Sequence, residues 1–224
     1  MGIHDGHRQR TRQRFARFGL ENFDDVNALE LLLYYALPRQ DTNPLAHRLL
    51  ERFGSLAAVL EASQGELCSV EGVGENAAVL LRLIPAISRR YMIRKTPDCQ
   101  PIDSVDEAGR YFLPRFMYER EEVLYALFLN ARKIPIDCRG ISRGLINTVE
   151  IPARRLVEQA LELHSGAVIL SHNHPSGVAV PSREDERSTA AIQDVLAMME
   201  VELVDHIIVA GCEYVSMREC GMLR

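Results

Sequence analysis

Missing from this 224-residue chain is any stretch approaching the roughly 20 uninterrupted apolar residues that a membrane span requires. Its first residues are equally unlike the apolar core of a signal peptide, because His4, Asp5 and His7 arrive almost at once. Together these absences predict a soluble, cytoplasmic protein with no membrane partner. Cysteine is scarce and unpaired in pattern. Cys68, Cys99, Cys138, Cys212 and Cys220 form an odd set at irregular spacing without a C-x-x-C pair, which argues against a disulfide framework and against a thiolate zinc knuckle. Reduced, structural thiols are expected. Internal repeats and low-complexity tracts are also lacking.

What is present is an ordinary globular balance: 47% apolar and 25% charged residues, enough for one large domain or two small ones. The net charge of −5 conceals an asymmetry. Through Lys95 there are 13 Lys and Arg against 11 Asp and Glu, and the rest of the chain carries 13 against 20. A mildly acidic second half is not what phosphate-backbone binding calls for, since that affinity comes from clustered Lys and Arg releasing counterions.

From Asn27 to Arg90 the pattern is helical. Leu29, Leu32, Leu33 and Ala36 keep helical spacing up to Pro38; Leu45, Leu49, Leu50 and Phe53 repeat it from Pro44 to Gly54; another helix starts at Ser55. Ala77 to Ile87 follows the Gly72-Val73-Gly74 turn. The proline-bearing stretch Arg94 to Asp103 is the expected linker, giving an all-α domain over 1–95 and a second domain over 102–224. Past a helix around Val105 to Leu113, β-type runs occur at Val123–Leu129, Ile134–Ile141, Ala167–Leu170, Val204–Ala210 and Tyr214–Met217. Helical patterns at Pro152–Leu163 and after Pro181 separate several of them, which is α/β order. Ala167-Val168-Ile169-Leu170, without alternation, predicts a strand buried on both faces.

Chemistry concentrates just after that strand, in Ser171-His172-Asn173-His174-Pro175-Ser176-Gly177 and Pro181-Ser182-Arg183-Glu184-Asp185. Alternate side chains of an extended backbone share a face, so His172 and His174 project together. Asp185 opens the next helix and can fold back over the strand end. Two nitrogens and one oxygen are a three-ligand set for Zn²⁺ with a fourth position for water, as in catalytic zinc sites. Such a metal lowers the pKa of its water and polarises a carbonyl. A plainer reading also stands. Ser182 fits a helix N-cap, an acid in the first turn suits the helix dipole without any metal, and two histidines among prolines and glycines also fit a turn.

His-x-His, ten residues and Asp, with Ser three before the Asp, resembles the JAMM (MPN-type) metalloprotease motif, whose members include isopeptidases. The two segments above, with Leu203-Val204-Asp205-His206-Ile207-Ile208, Glu213-Tyr214-Val215-Ser216 and the N-terminal Gly6-His7-Arg8-Gln9-Arg10, are similar to the bacterial RadC family over nearly the whole chain. The resemblance implies a helix-hairpin-helix-like N-terminal region. It also implies a JAMM/MPN-like, cytidine-deaminase-like α/β domain with a mixed sheet. It further implies Zn²⁺ on His172, His174 and Asp185, and Ser182 as a catalytic residue stabilising the oxyanion formed when water attacks an amide carbonyl.

That mechanism also uses a glutamate on an upstream strand as general base. Counting back from Arg143-Gly144 puts Arg139 there, and a cation cannot take a proton. Asp137 shares its face but is shorter, and Glu150 lies beyond the intervening segment; Arg139 and Asp137 also fit a solvated strand edge. The expectation is a zinc protein that turns over amides poorly, because general-base help is worth about 10²–10⁴-fold. His206, in an apolar run, reads as a satisfied core residue outside the metal set.

In the N-terminal half, Val70-Glu71-Gly72-Val73-Gly74 with Ala78 and Leu81 resembles a helix-hairpin-helix, which presents N–H groups to phosphate. Glu75 opposes that, and a packing turn explains the glycines as well. Arg8, Arg10, Arg12, Arg14 and Arg17 occur without an acid among them. They are either a solvated helix face or a patch for DNA or an acidic partner. The expected function is therefore a zinc-dependent metallopeptidase acting on a protein or peptide substrate of unknown identity. The alternative is a DNA-associated, repair-linked binding protein with a non-catalytic metal domain. A nucleobase hydrolase ranks below both, for want of the His-x-Glu and Cys-x-x-Cys pattern of deaminases.

Overall fold

The computed structural model describes residues 3–95, 100–144 and 150–223. It divides into two compact units, Met1–Arg90 and Tyr91–Arg224. Six helices build the first: α1 Ile3–Phe18, α2 Asp25–Ala36, α3 Asn43–Phe53, α4 Leu56–Glu61, α5 Gln64–Cys68 and α6 Glu75–Lys95. Side chains fix their starts. Asp24 accepts from the Asn27 N–H, Ser55 from Ala58, and Ser63 forms a capping box with Glu66. Leu29, Leu33, Leu45, Leu49, Val59, Leu67 and Leu81 make the core, the helical spacing of each segment turning one stripe inward.

Helix α6 runs past the expected Ile87 to Lys95, straight through Pro85. The missing proline N–H removes one backbone bond without stopping the helix, and good helix formers follow. The division between the units falls inside this helix, ahead of the proline-bearing stretch proposed as linker, whose Pro97 and Cys99 lie outside the described residues. Among the described residues no helix is long and apolar enough to cross a membrane.

The second unit continues with α7 Val105–Phe116, β1 Val123–Leu129, β2 Pro135–Arg143, α8 Glu150–Glu162, β3 Ala167–Asn173, α9 Arg183–Met198, β4 Glu202–Ala210 and β5 Glu213–Ser216. The five strands form one mixed sheet in the order β2-β1-β3-β4-β5, parallel at β3–β4 and antiparallel elsewhere. Helix α9 is the crossover that a parallel β3–β4 pair demands. Leu124, Ala126, Phe128, Val168 and Leu170 face α8 and α9, where Leu156, Ala160, Ile192 and Leu196 meet them. Val123, Leu127, Leu129, Ile169, Ile207 and Val209 face α7 through Tyr111, Phe112 and Phe116. Helix α7 approaches closely at Gly109, where a Cβ would meet the Tyr214 ring at 2.5 Å. Central β3 is buried along its whole length, as its unbroken apolar run predicts. Its C-terminal end therefore opens at a fixed place beside the start of α9.

Candidate metal centre

His172 and His174 stand at that end, on the α8/α9 side. Between them Asn173 points the other way and replaces ladder bonds: its Oδ1 accepts from the Val123 N–H at 2.8 Å and its Nδ2 donates to the Glu121 carbonyl at 3.0 Å. The His174 N–H donates to the Val209 carbonyl at 2.8 Å, extending the β3–β4 ladder one residue further. The chain then turns at Gly177, whose φ of +84° is a left-handed conformation suited to glycine, and returns to α9. Ser182 caps α9. Its Oγ accepts from the Asp185 N–H at 3.1 Å and donates to Asp185 Oδ2 at 2.6 Å, while the Ser182 N–H donates to the same oxygen at 2.7 Å.

The cap brings the carboxylate over the strand end. Nε2 of His172 lies 2.9 Å from Nε2 of His174, 3.3 Å separate His172 Nε2 from Asp185 Oδ1, and 3.5 Å separate His174 Nε2 from Asp185 Oδ2. Ligand atoms about 2.0–2.2 Å from a tetrahedral Zn²⁺ sit roughly 3.3 Å apart, and these three distances, the two to Asp185 ending on different oxygens, are of that order. Among the described residues it is the one group of three His, Cys, Asp or Glu side chains with ligand atoms within 4.8 Å of one another. Asp185 closes the capping box of α9 and at the same time lies within 3.5 Å of both histidines, so the cap leaves it free to face them. His172 is 1% exposed, whereas His174 and Asp185 retain 18% and 15%, so the open side of the triangle faces outward past them.

The electrostatics suit a cation. Burial pushes the Asp185 carboxyl up, but hydrogen bonds from His172 and Ser182 and the neighbouring imidazole charge outweigh it and hold the group well below the usual carboxylate range. His174 Nδ1 faces the Val178 carbonyl at 2.9 Å, which can only accept, so Nδ1 carries the proton and Nε2 presents its lone pair to the centre. Behind His172 stands His206, 4% exposed, with its Nε2 2.8 Å from His172 Nδ1. Burial, with the charge of His172, drives the His206 imidazole well below its ordinary value and keeps it neutral.

Other expected residues are placed differently. Arg139 pairs with Ala126 and hence lies level with Leu170, two positions short of His172 and two strands away, where it binds Asp137 at 2.8 Å and Glu162 at 2.9 Å. Arg139 is thus held by surface acids, away from the two histidines, on a strand whose pairing with β1 is bulged. Asp137, opposite Phe128, is farther still, and Glu150 begins α8. A further acid near the strand end is Glu122. β1 and β3 pair Leu124 with His172 at the end of their ladder, and Glu122 lies two residues before Leu124, just ahead of β1. Continued by alternation from Leu124, half-buried Glu122 would fall on the face that carries both histidines. Its carbonyl accepts from the Gly144 N–H at 2.8 Å, which holds the backbone in line there. The available signal was the pair Glu121-Glu122 at the head of an apolar strand.

In the helical unit Arg8 is buried. Its guanidinium donates to the carbonyls of Pro38 at 2.6 Å, Leu37 at 2.8 Å and Gln40, closing the end of α2. Arg14 donates to Asn27 Oδ1 at 2.7 Å over the Phe23 ring, and Arg12 lies over Tyr34 and Tyr35. Arg10 is exposed. The basic run is thus not uniform: Arg8 is drawn in to hold the turn after α2, while Arg10, Arg12 and Arg17 stay exposed. Arg8→Ala is expected to lower stability by roughly 2–3 kcal/mol in denaturant unfolding, with little recovery in Arg8→Lys, since a single ammonium cannot fork to three carbonyls. In the α5–α6 turn Gly72 is left-handed at φ +92°, and Arg48 donates to the Glu71 carbonyl at 3.1 Å.

A mixed five-stranded sheet flanked by helices, with a His-x-His pair at a strand end and an aspartate of a helix's first turn beside it, fits a JAB-type domain of the metal-dependent hydrolase-like class. Residues 102–222 match the family described as RadC-like JAB domain. A UPF0758 protein of Bordetella avium is 35% identical over 215 residues, covering 96% of each chain. UPF0758 proteins of Burkholderia mallei and Burkholderia pseudomallei are each 32% identical over 216 residues, 96% of this chain and 78% of theirs. The chain belongs to the RadC family.

Proposed function

We propose that the C-terminal unit binds one Zn²⁺ through His172 Nε2, His174 Nε2 and Asp185, and that it hydrolyses an amide or isopeptide bond of a protein or peptide. The observation that carries this reading is the convergence of donor atoms from two imidazoles and one carboxylate at 2.9, 3.3 and 3.5 Å, open on one side and close to the spacing of ligands around a tetrahedral ion. Zinc held there supplies Lewis acidity and a lowered water pKa.

The chain's own residues do the rest. Glu122, which alternation from Leu124 would set on the face of the two histidines, is the carboxylate that accepts the proton of the attacking water and later passes it to the leaving nitrogen. Ser182 orients Asp185; its single hydroxyl proton lies on Asp185 Oδ2, so donation to a developing oxyanion requires that bond to open. Val178 and Val180, exposed in the loop that leaves His174, offer an apolar border to substrate.

Metal analysis of purified protein tests the centre. Wild type is expected to carry one zinc per chain and His172→Ala none. Equal zinc in both would remove the centre from these residues.

A further inference from the structure

Behind the three proposed ligands runs a line of buried polar groups that hydrolysis itself does not use. His172 Nδ1 lies 2.8 Å from His206 Nε2, and His206 Nδ1 lies 2.7 Å from Thr189 Oγ1. Thr189 is fully buried on α9, the helix that carries Asp185, and its hydroxyl faces Met217 Sδ at 3.6 Å. His206 belongs to β4, beside β3, and its backbone is clamped by Asp205: Oδ1 accepts from the N–H groups of His206 and Arg218, and Oδ2 from the Ser216 hydroxyl at 2.6 Å.

Two directions of hydrogen bonding fit these distances. In one, the threonine hydroxyl donates to His206 Nδ1, His206 Nε2–H donates to His172 Nδ1, and the proton left on His172 sits on Nε2, where it blocks coordination. In the other, His172 Nδ1–H donates to His206 Nε2, His206 Nδ1–H donates to Thr189 Oγ1, and the hydroxyl turns to the weak sulfur acceptor. This second direction alone frees the His172 Nε2 lone pair. His174 needs no such arrangement, because the Val178 carbonyl settles its tautomer.

We infer that His206 and Thr189 are positioning residues that set the tautomer and ring orientation of His172, so that the strength of the metal centre is governed from β4 and α9. This rests on the zinc reading above. Partners that hold a ligating imidazole by its second nitrogen typically contribute 10–100-fold to metal affinity. Here that partner is another histidine, and its usefulness depends on a threonine that accepts.

The experiment is zinc competition against a chromogenic chelator with full-length wild type, Thr189→Val and Thr189→Ser. Long-range ¹H–¹⁵N spectra of zinc-loaded wild type accompany it, to show which ring nitrogens carry protons. Thr189→Val, equal in shape but without the hydroxyl, is expected to bind zinc about 10-fold more weakly, and Thr189→Ser within about 3-fold of wild type. The spectra should show His206 protonated on Nδ1 and His172 on Nδ1. Zinc bound equally by wild type and Thr189→Val, or His206 protonated on Nε2 in the loaded protein, overturns the relay alone. Absence of zinc binding by wild type overturns the metal centre and the relay together. The spectra read the wild-type chain and decide the matter even where a variant fails to fold.

Discussion

Glu122→Gln is expected to keep its zinc and to lose amide hydrolysis by about 10²–10⁴-fold, the usual worth of a positioned general base. The amide is of nearly the same size, keeps the hydrogen-bonding capacity of the side chain and cannot take a proton, so the fold and the three donor atoms are left alone. Glu122 lies just before β1, two residues ahead of the Leu124 that pairs with His172. The matched control is Arg139→Ala. That side chain holds surface partners, with Asp137 and Glu162 44% and 65% exposed, and such pairs contribute about 0–1 kcal/mol. Its removal should leave turnover unchanged. Zinc content measured beside product formation by mass spectrometry separates the outcomes. A Glu122→Gln chain as fast as wild type would return the search for a base to other side chains.

Zinc should also stabilise the C-terminal unit. At a free concentration 100 times the dissociation constant, a ligand bound only by the folded state adds about 2.7 kcal/mol. For a unit of this length that corresponds to a rise of roughly 10 °C in the unfolding midpoint. Chelator should reverse it. Asp185→Ala should abolish the zinc-dependent rise, and in the zinc-free protein it should cost about 1 kcal/mol more, because the same carboxylate closes the capping box of α9. Thermal scans of both chains with zinc and with chelator measure the two effects independently. An Asp185→Ala protein stabilised by zinc as much as wild type would place the ion elsewhere.

Which features were legible follows from how far apart in the chain their causes lie. His172 and His174 share a face by strand alternation over three residues, and Ser182 meets Asp185 by N-cap spacing over four. Both relations are local, so both could be read from order alone. The burial of Ala167–Leu170 was written in an apolar run, and the helical stripes of Leu29, Leu33, Leu45 and Leu49 in their spacing. Arg8 was legible only as a charge: that it ends up beneath the carbonyls of Leu37, Pro38 and Gln40 depends on how α1 packs on α2.

Residue order by itself determined the two kinds of secondary structure, the α/β alternation and the three candidate donor atoms, because each arises from periodicity or from contacts within one turn or one strand end. The tertiary structure decided which strand end lies beside the histidines and what lies behind them. The antiparallel β1–β3 register brings the start of β1, just past Glu122, beside His172, and His206 meets His172 across a parallel pair at a separation of 34 residues. Pairing registers, bulges and the placing of a helix over a sheet set such meetings, and these come from the packing of a whole core rather than from any local stretch of chain.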